Sequence, residues 1–294
     1  MKTLTENVVN IFAENGKTWL DQLPATVSKL GEHWNLTEIT PVSNMTYHYV
    51  AKAIRASSLP VVLKIGCDRK SLHAEMLALL HFAGNGSVQL IDYHESYNAL
   101  LLQQAIPGIT LKSLYPAQAE YVIDHYLATM QHLHANPLPI QHHFAHIRDW
   151  LEAINRIASD QLPSSLLEKA CSLKSALVNS LNCNILLHGD LHHDNILKHG
   201  TQWIAIDPKG IIGDPEFEVA AFDFIHPGEM NNRNVTELFT SRVELIAAKT
   251  GMHTQRIIQW VFIRLILAAA WSIEDKDDPG KYIHLADIII NCLG

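Results

Sequence analysis

Cysteine is scarce in this chain. Four cysteines, Cys67, Cys171, Cys183 and Cys292, are scattered among 294 residues with no C-x-x-C pair. That usage predicts reduced, buried thiols in a cytoplasmic protein. Positive charge is also in short supply, with 22 Lys and Arg against 30 Asp and Glu, a formal net charge of −8. No Lys/Arg cluster of the kind that grips phosphate backbones is present, so no nucleic-acid partner is expected. No apolar run is long enough to span a bilayer. The longest, Ile257 to Trp271, is broken by Gln259 and Arg264, and it reads as a buried helix. No membrane association is expected. The first residues, Met-Lys-Thr-Leu-Thr-Glu-Asn, hold no apolar signal region. There are no internal repeats, no low-complexity linker, no H-E-x-x-H and no G-x-G-x-x-G. What the chain does have is 48% hydrophobic residues, ample for a packed core, and 18 histidines.

The length permits one large domain or two lobes. Trp19, Leu20, Leu23, Val27, Leu30 and Trp34 recur at helical spacing, which predicts an opening amphipathic helix divided near Leu23 by Pro24. Short strands are expected over 46–53 and 61–65, then a helix over 71–82 ended by Gly84-Asn85-Gly86. Two more strands follow at 88–93 and 99–104. Pro107-Gly108 marks a boundary, beyond which the chain reads as mainly helical: 119–133, 147–158, 166–181, 236–250 and 257–271. Short strands at 185–187, 196–198 and 203–206 interrupt it. A strand, strand, helix, strand, strand order is what a small nucleotide-binding lobe would show, so the expected fold class is α+β and two-lobed, protein-kinase-like, with residues 1–105 as that small β-rich lobe and residues 106–294 as a larger helical lobe.

The densest chemistry lies in His188-Gly189-Asp190-Leu191-His192-His193-Asp194-Asn195-Ile196-Leu197, followed by Ile206-Asp207-Pro208-Lys209-Gly210. Phosphoryl transfer to an alcohol needs one carboxylate beside the attacking hydroxyl. It also needs an amide oxygen and a second carboxylate to hold magnesium on the nucleotide. Asp190, Asn195 and Asp207 supply that set. Protein kinases use H-R-D-x-x-x-x-N and D-F-G for the same purpose. Gly189 in place of Arg, and Pro-Lys-Gly after Asp207, point to a small-molecule acceptor. An isolated D-x-x-x-x-N is a common turn, but here it lies between short apolar strands with a second Asp on the next hairpin. Lys64, on a strand whose other face is Val61, Leu63 and Ile65, can reach α- and β-phosphates, and Glu75 on the following helix is its positioning carboxylate. Ser43 and Asn44 occupy the phosphate-covering turn. His188 reads as a hydrogen-bonding strut behind Asp190, and Lys209 as a neutralising charge or a structural ion-pair partner. The histidine groups 188/192/193 and 142/143/146 raise a zinc-hydrolase alternative, but no metalloprotease spacing accompanies them.

At these residues the chain resembles the aminoglycoside phosphotransferase group. Within it, the nearest likeness is to the streptomycin 6-kinase and hydroxyurea phosphotransferase family. Asp-Pro-Lys-Gly at 207–210 separates that family from wider relatives, and Gly213-Asp214-Pro215 follows in the family's order. The N-terminal Trp19-Leu20, Leu23-Pro24 and Trp34, the segment 100–108 and the segment 268–275 extend the likeness to about Glu14–Asp278. It departs from the pattern at Gln103-Gln104, where relatives carry Glu-Arg, and at Glu218, where Asp is usual.

The resemblance implies transfer of the γ-phosphoryl group of ATP, with Mg2+, to a hydroxyl of a streptomycin-type or hydroxyurea-type small molecule. Asp190 matches the catalytic Asp, Asn195 and Asp207 the metal ligands, and Lys64 the strand lysine. The hinge that hydrogen-bonds adenine through its backbone falls at Gln103–Ile106, with Gln104 and Ile106 as the contacts. A cationic acceptor implies an acidic pocket in the helical lobe, with Asp214, Glu216, Trp271, Glu274 and Asp275 as candidates. A kinase of another metabolite, such as an amino alcohol or sugar, and a silent nucleotide-binding regulator remain alternatives at this stage.

Overall fold

A helix, α1 (Lys2–Trp34), opens the chain. The computed structural model describes residues 1–158, 160–181 and 183–294, and at residue 57 the backbone alone. The interruption in α1 is at Ala13 (φ 48°, ψ −122°), whereas Pro24 lies within continuous helix. Proline removes one N–H from a helix, and burial of Leu23, Leu30 and Trp34 keeps the turns around it in place. Asn35, in the left-handed conformation, returns its N–H to Glu32 and ends the helix.

An antiparallel sheet follows. Its strands β1 (Leu36–Pro41), β2 (His48–Arg55) and β3 (Leu59–Gly66) are consecutive. Next come α2 (Arg69–Phe82), β4 (Leu90–His94) and β5 (Ala99–Gln103). The strand order is β1-β2-β3-β5-β4, which puts β3 at the centre. Val61, Leu63 and Ile65 of β3 are fully buried with the inner residues of α1. The pleat turns Lys64 to the opposite side. Asp68 starts α2 by accepting the N–H groups of Lys70 and Ser71, a cap that sets where Glu75 falls on the helix.

The chain continues through β6 (Pro107–Thr110), α3 (Ala119–Leu133), β7 (Ala145–His146), α4 (Ile147–Asn155) and α5 (Ser164–Asn179). Then come β8 (Ile185–Leu187), β9 (Ile196–His199), β10 (Gln202–Ala205), β11 (Ile211–Gly213) and α6 (Pro215–Val219). The last helices are α7 (Val235–Thr250), α8 (Thr254–Glu274) and α9 (Gly280–Ile289). α8 is the apolar run seen in the sequence. It meets α4, α5, α6, α7 and α9, and Trp260, Phe262, Ile263, Ile266 and Leu267 are sealed from solvent. By length and hydropathy α8 equals a membrane span, but more than half of its apolar window is buried inside the protein.

The chain divides into two units, 1–108 with 198–206, and 109–197 with 207–294. A single boundary at 105/106 omits the return of 198–206 to the first unit. The return has a local cause: Ala205 donates its N–H to Gly86 and accepts from Val88, and Gly200 donates to the Ile106 carbonyl. The cysteines also differ from expectation. All four are free thiols, but Cys171 and Cys183 are exposed.

Candidate active site

In the second unit, β8 pairs antiparallel with β11, Leu187 opposite Ile211. The residues just beyond that pair are His188 and Gly210, so the register alone joins the two motif loops. The His188 carbonyl accepts the N–H of Lys209 at 2.6 Å and of Gly210 at 3.3 Å. His188 is fully buried and its Nδ1 accepts the Asp190 N–H at 3.2 Å. Gly189 has φ +85°, and a Cβ there would meet Ile211 Cγ2 at 2.9 Å and Trp150 at 3.1 Å, so glycine is required in the turn.

Two charged side chains grip this turn from opposite sides of its backbone. Glu218 of α6 is fully buried and accepts the His188 N–H at 2.5 Å and the Gly189 N–H at 3.0 Å. Arg264 of α8 donates Nη2 to the Gly189 carbonyl at 2.9 Å and to Asp190 Oδ1 at 3.0 Å. Burial pushes the Glu218 carboxyl up, but His134, His188 and the Gly189 N–H together hold it below the ordinary glutamate range. Asp190 is set deep among protein atoms with about a third of its side chain still open to solvent. Burial alone would raise its carboxyl. The Arg264 guanidinium, with His192, Lys209 and His188, holds it lower, so Asp190 is a carboxylate at neutral pH.

Asn195 donates its side-chain N–H to the Asp190 backbone carbonyl at 3.0 Å. That bond fixes the amide so that its oxygen, the atom a hard cation takes, points away from the tether. Asp207 lies two residues past the end of β10, in the left-handed region with φ +61°. An amide oxygen plus a carboxylate, with water for the rest, is a donor set suited to magnesium. Among the described residues no three His, Cys, Asp or Glu side chains form a group that could hold a metal ion. Burial pushes the His193 imidazole down to about 4, and it packs as a ring against Tyr115 and Phe222.

The acidic candidates for the acceptor pocket separate. Asp214 is 2% exposed, ion-paired with Arg256, and accepts the Cys183 N–H. Glu216 also faces Arg256, at 3.9 Å. Both carboxylates therefore sit beside Arg256 of α8. Glu274 pairs with Arg156 at 2.7 Å on the surface. Asp275 is raised by burial and by its acidic neighbours Asp277 and Glu274. Trp271 packs edge-on against Trp150, the ring that abuts Gly189. The Tyr282 hydroxyl is raised by burial and then by Asp223, Asp190 and Asp277, with Arg264 opposing them. Sequence reasoning missed Arg264, and its signal was a charge inside an otherwise apolar helix.

In the first unit, the Lys64 ammonium lies 2.8 and 2.7 Å from the two Glu75 oxygens, and both residues are almost fully buried. Ser43 and Asn44 form the exposed turn between β1 and β2, closed by the Val42 N–H to the Val50 carbonyl. The expected hinge segment, Gln103–Ile106, has its last residue engaged elsewhere. Ile106 donates its N–H to His199 Nδ1 at 3.2 Å and accepts from Gly200, so its backbone is already engaged. The adjacent Ala105 is buried, and its N–H meets no acceptor among the described residues. Gln104 stays half-buried beside it.

The paired loops, the gripped Asp190 and the buried Lys–Glu pair define a kinase-like phosphotransferase. The chain belongs to the family described as aminoglycoside/hydroxyurea antibiotic resistance kinase, whose sequence model matches residues 33–276. It is 28% identical over 278 residues to streptomycin 6-kinase of Streptomyces glaucescens, covering 92% of this chain and 90% of that one. It is 26% identical over 295 residues to hydroxyurea phosphotransferase of Kitasatospora aureofaciens, covering 95% and 82%. Among solved structures, a thermostable mutant of aminoglycoside phosphotransferase APH(4)-Ia, in ternary complex with ADP and hygromycin B, superposes with a TM-score of 0.68 at 15% identity, covering 91% of this chain and 98% of that one. The fold is therefore kinase-like, with a β-rich N-terminal part and a helical C-terminal part, as the sequence led us to expect.

Proposed function

We propose that this protein transfers the γ-phosphoryl group of ATP to a hydroxyl of a small molecule, a cationic one of the streptomycin type ahead of a neutral one of the hydroxyurea type. The observation that carries the reading is the Asp190 turn: a partly exposed carboxylate whose backbone is held by Glu218, His188 and Arg264. Such rigidity is what positioning catalysis requires. Asp190 accepts the acceptor hydroxyl's proton as its oxygen bonds to phosphorus and the bridge to ADP breaks. Asn195 and Asp207 would hold Mg2+, which when bound neutralises phosphate charge. Lys64, fixed by Glu75, binds α- and β-phosphates. Ser43 and Asn44 cover the phosphates, and Gln104 with the Ala105 N–H takes the adenine. Lys209 adds positive charge near Asp190.

The acceptor's ammonium or guanidinium group pairs with Asp223 and Asp277, beside Tyr282, through charge-assisted hydrogen bonds. Membership of the kinase family and likeness to a streptomycin kinase over nine-tenths of the chain support this substrate class. The test is a panel of aminoglycosides, hydroxyurea, amino alcohols and sugars incubated with γ-labelled ATP and magnesium. Label should appear on a cationic member of the panel. Label only on neutral or anionic members removes the cationic acceptor, and ATP left unconsumed throughout removes the enzyme reading.

A further inference from the structure

Arg264 is the single charged residue between Ile257 and Ser272. Its side chain is 12% exposed, on the helix at the centre of the second unit. A guanidinium in such surroundings loses hydration, and only close partners offset the loss. The fork is half used. Nη2 serves both the Gly189 carbonyl and Asp190 Oδ1, while Nη1 is equally sealed and meets no acceptor among the described residues. The Phe217 ring lies 5.3 Å from the guanidinium carbon and limits how the plane can turn. A half-used buried ion is poor value for stability, and an apolar side chain of similar volume serves a core better. The geometry therefore asks for a role beyond packing.

We infer that Arg264 is a positioning residue for phosphoryl transfer. It ties down Asp190 Oδ1 and the carbonyl of the preceding residue at once, so the carboxylate has one orientation and Oδ2 is the oxygen left for the acceptor hydroxyl. His192 Nε2 is 3.8 Å from Oδ2 and does not close a hydrogen bond to it. Lysine cannot reproduce this arrangement, because an ammonium is a point charge without the planar fork that spans a carbonyl and a carboxylate. The inference rests on the phosphotransferase reading, with Asp190 as the group beside the hydroxyl.

The experiment compares Arg264→Met, Arg264→Lys and Arg264→Ala with wild type and Asp190→Asn, all as full chains. It follows turnover of magnesium–ATP on the best acceptor of the panel, or on water if none is found. Arg264→Met should melt close to wild type, keep the KM for ATP, and lose about a hundredfold or more in kcat, the scale of a misplaced catalytic group. Arg264→Lys should recover only part of the loss. Added guanidinium ion should raise kcat of Arg264→Ala without altering KM for ATP. Wild-type kcat in a folded Arg264→Met overturns the inference while a slow Asp190→Asn keeps the phosphotransferase reading. Loss of kcat that only follows loss of folded protein, with no rescue by guanidinium, makes Arg264 structural and also overturns it. An Asp190→Asn variant as fast as wild type, or a wild type that turns over no ATP, brings down the reading and the inference together.

Discussion

The Glu218 carboxylate receives the His188 backbone N–H at 2.5 Å, with both residues fully sealed from solvent. A side chain from α6 thus holds the start of the catalytic turn. Glu218→Gln puts an amide N–H against one of two backbone N–H groups and should cost about 2 kcal/mol, the scale of a lost charged hydrogen bond. Because the folded Glu218 is held below its unfolded value, its contribution is complete above the ordinary glutamate range and is lost as pH falls through the folded value. Wild type should therefore lose melting temperature on acidification in a range where Glu218→Gln changes less. Parallel acid limbs in the two proteins contradict this.

Magnesium–ATP should raise the melting temperature by mass action, since it binds the folded protein. Asp207→Ala should remove most of the magnesium-dependent part. Lys64→Ala should narrow the gap between the shifts caused by ATP and by adenosine, and it also takes the ammonium away from the buried Glu75. Differential scanning fluorimetry with and without chelator reads both. An unchanged magnesium effect in Asp207→Ala takes Asp207 out of the site.

The hinge contact makes a prediction that needs no variant. If the Ala105 N–H serves ring nitrogen N1 of adenine, 1-deaza-ATP should bind about five- to tenfold more weakly than ATP, near the ~1 kcal/mol of one hydrogen bond. Calorimetric titration gives the comparison. Equal affinity means the purine is held elsewhere.

Two acidic groups should behave differently. Asp214→Asn takes away the nearer carboxylate of Arg256 and leaves it Glu216 at 3.9 Å, which should cost about 3 kcal/mol of stability, with KM for the acceptor unchanged in the folded fraction. Asp223→Asn should instead raise the KM of a cationic acceptor more than it lowers kcat, since such a contact acts on ground and transition states alike. That KM should also rise with salt, because partly exposed charges are screened over a Debye length of ~8 Å at physiological ionic strength. A salt-independent KM, or an acceptor effect at Asp214, reverses the assignment.

Much of the candidate site can be read from the sequence, because its parts are local. Asp190 and Asn195 lie in one loop, Asp207 closes the next hairpin, and Lys64 and Glu75 lie on a strand and the helix that follows it. What stayed hidden depends on distant partners. Asp214 and Glu216 look like loop carboxylates until Arg256, on another helix, is seen beside them. Ile106 looks like the hinge donor until His199 takes its N–H. Arg264 marked itself only as an interruption of an apolar run, and nothing in the spacing said that Asp190 was its partner. β1 was not expected either. Its alternation is broken by a bulge near Glu38, whose φ is +53°.

The most direct test of the account is the single-turnover rate of phosphoryl transfer from magnesium–ATP to the identified acceptor in wild type and in Asp190→Asn, with ATP affinity measured on the same samples. The account predicts a rate lower by about a hundredfold or more in the variant, the range for a lost acid–base group, with ATP affinity nearly unchanged. An equal rate in the two proteins contradicts it.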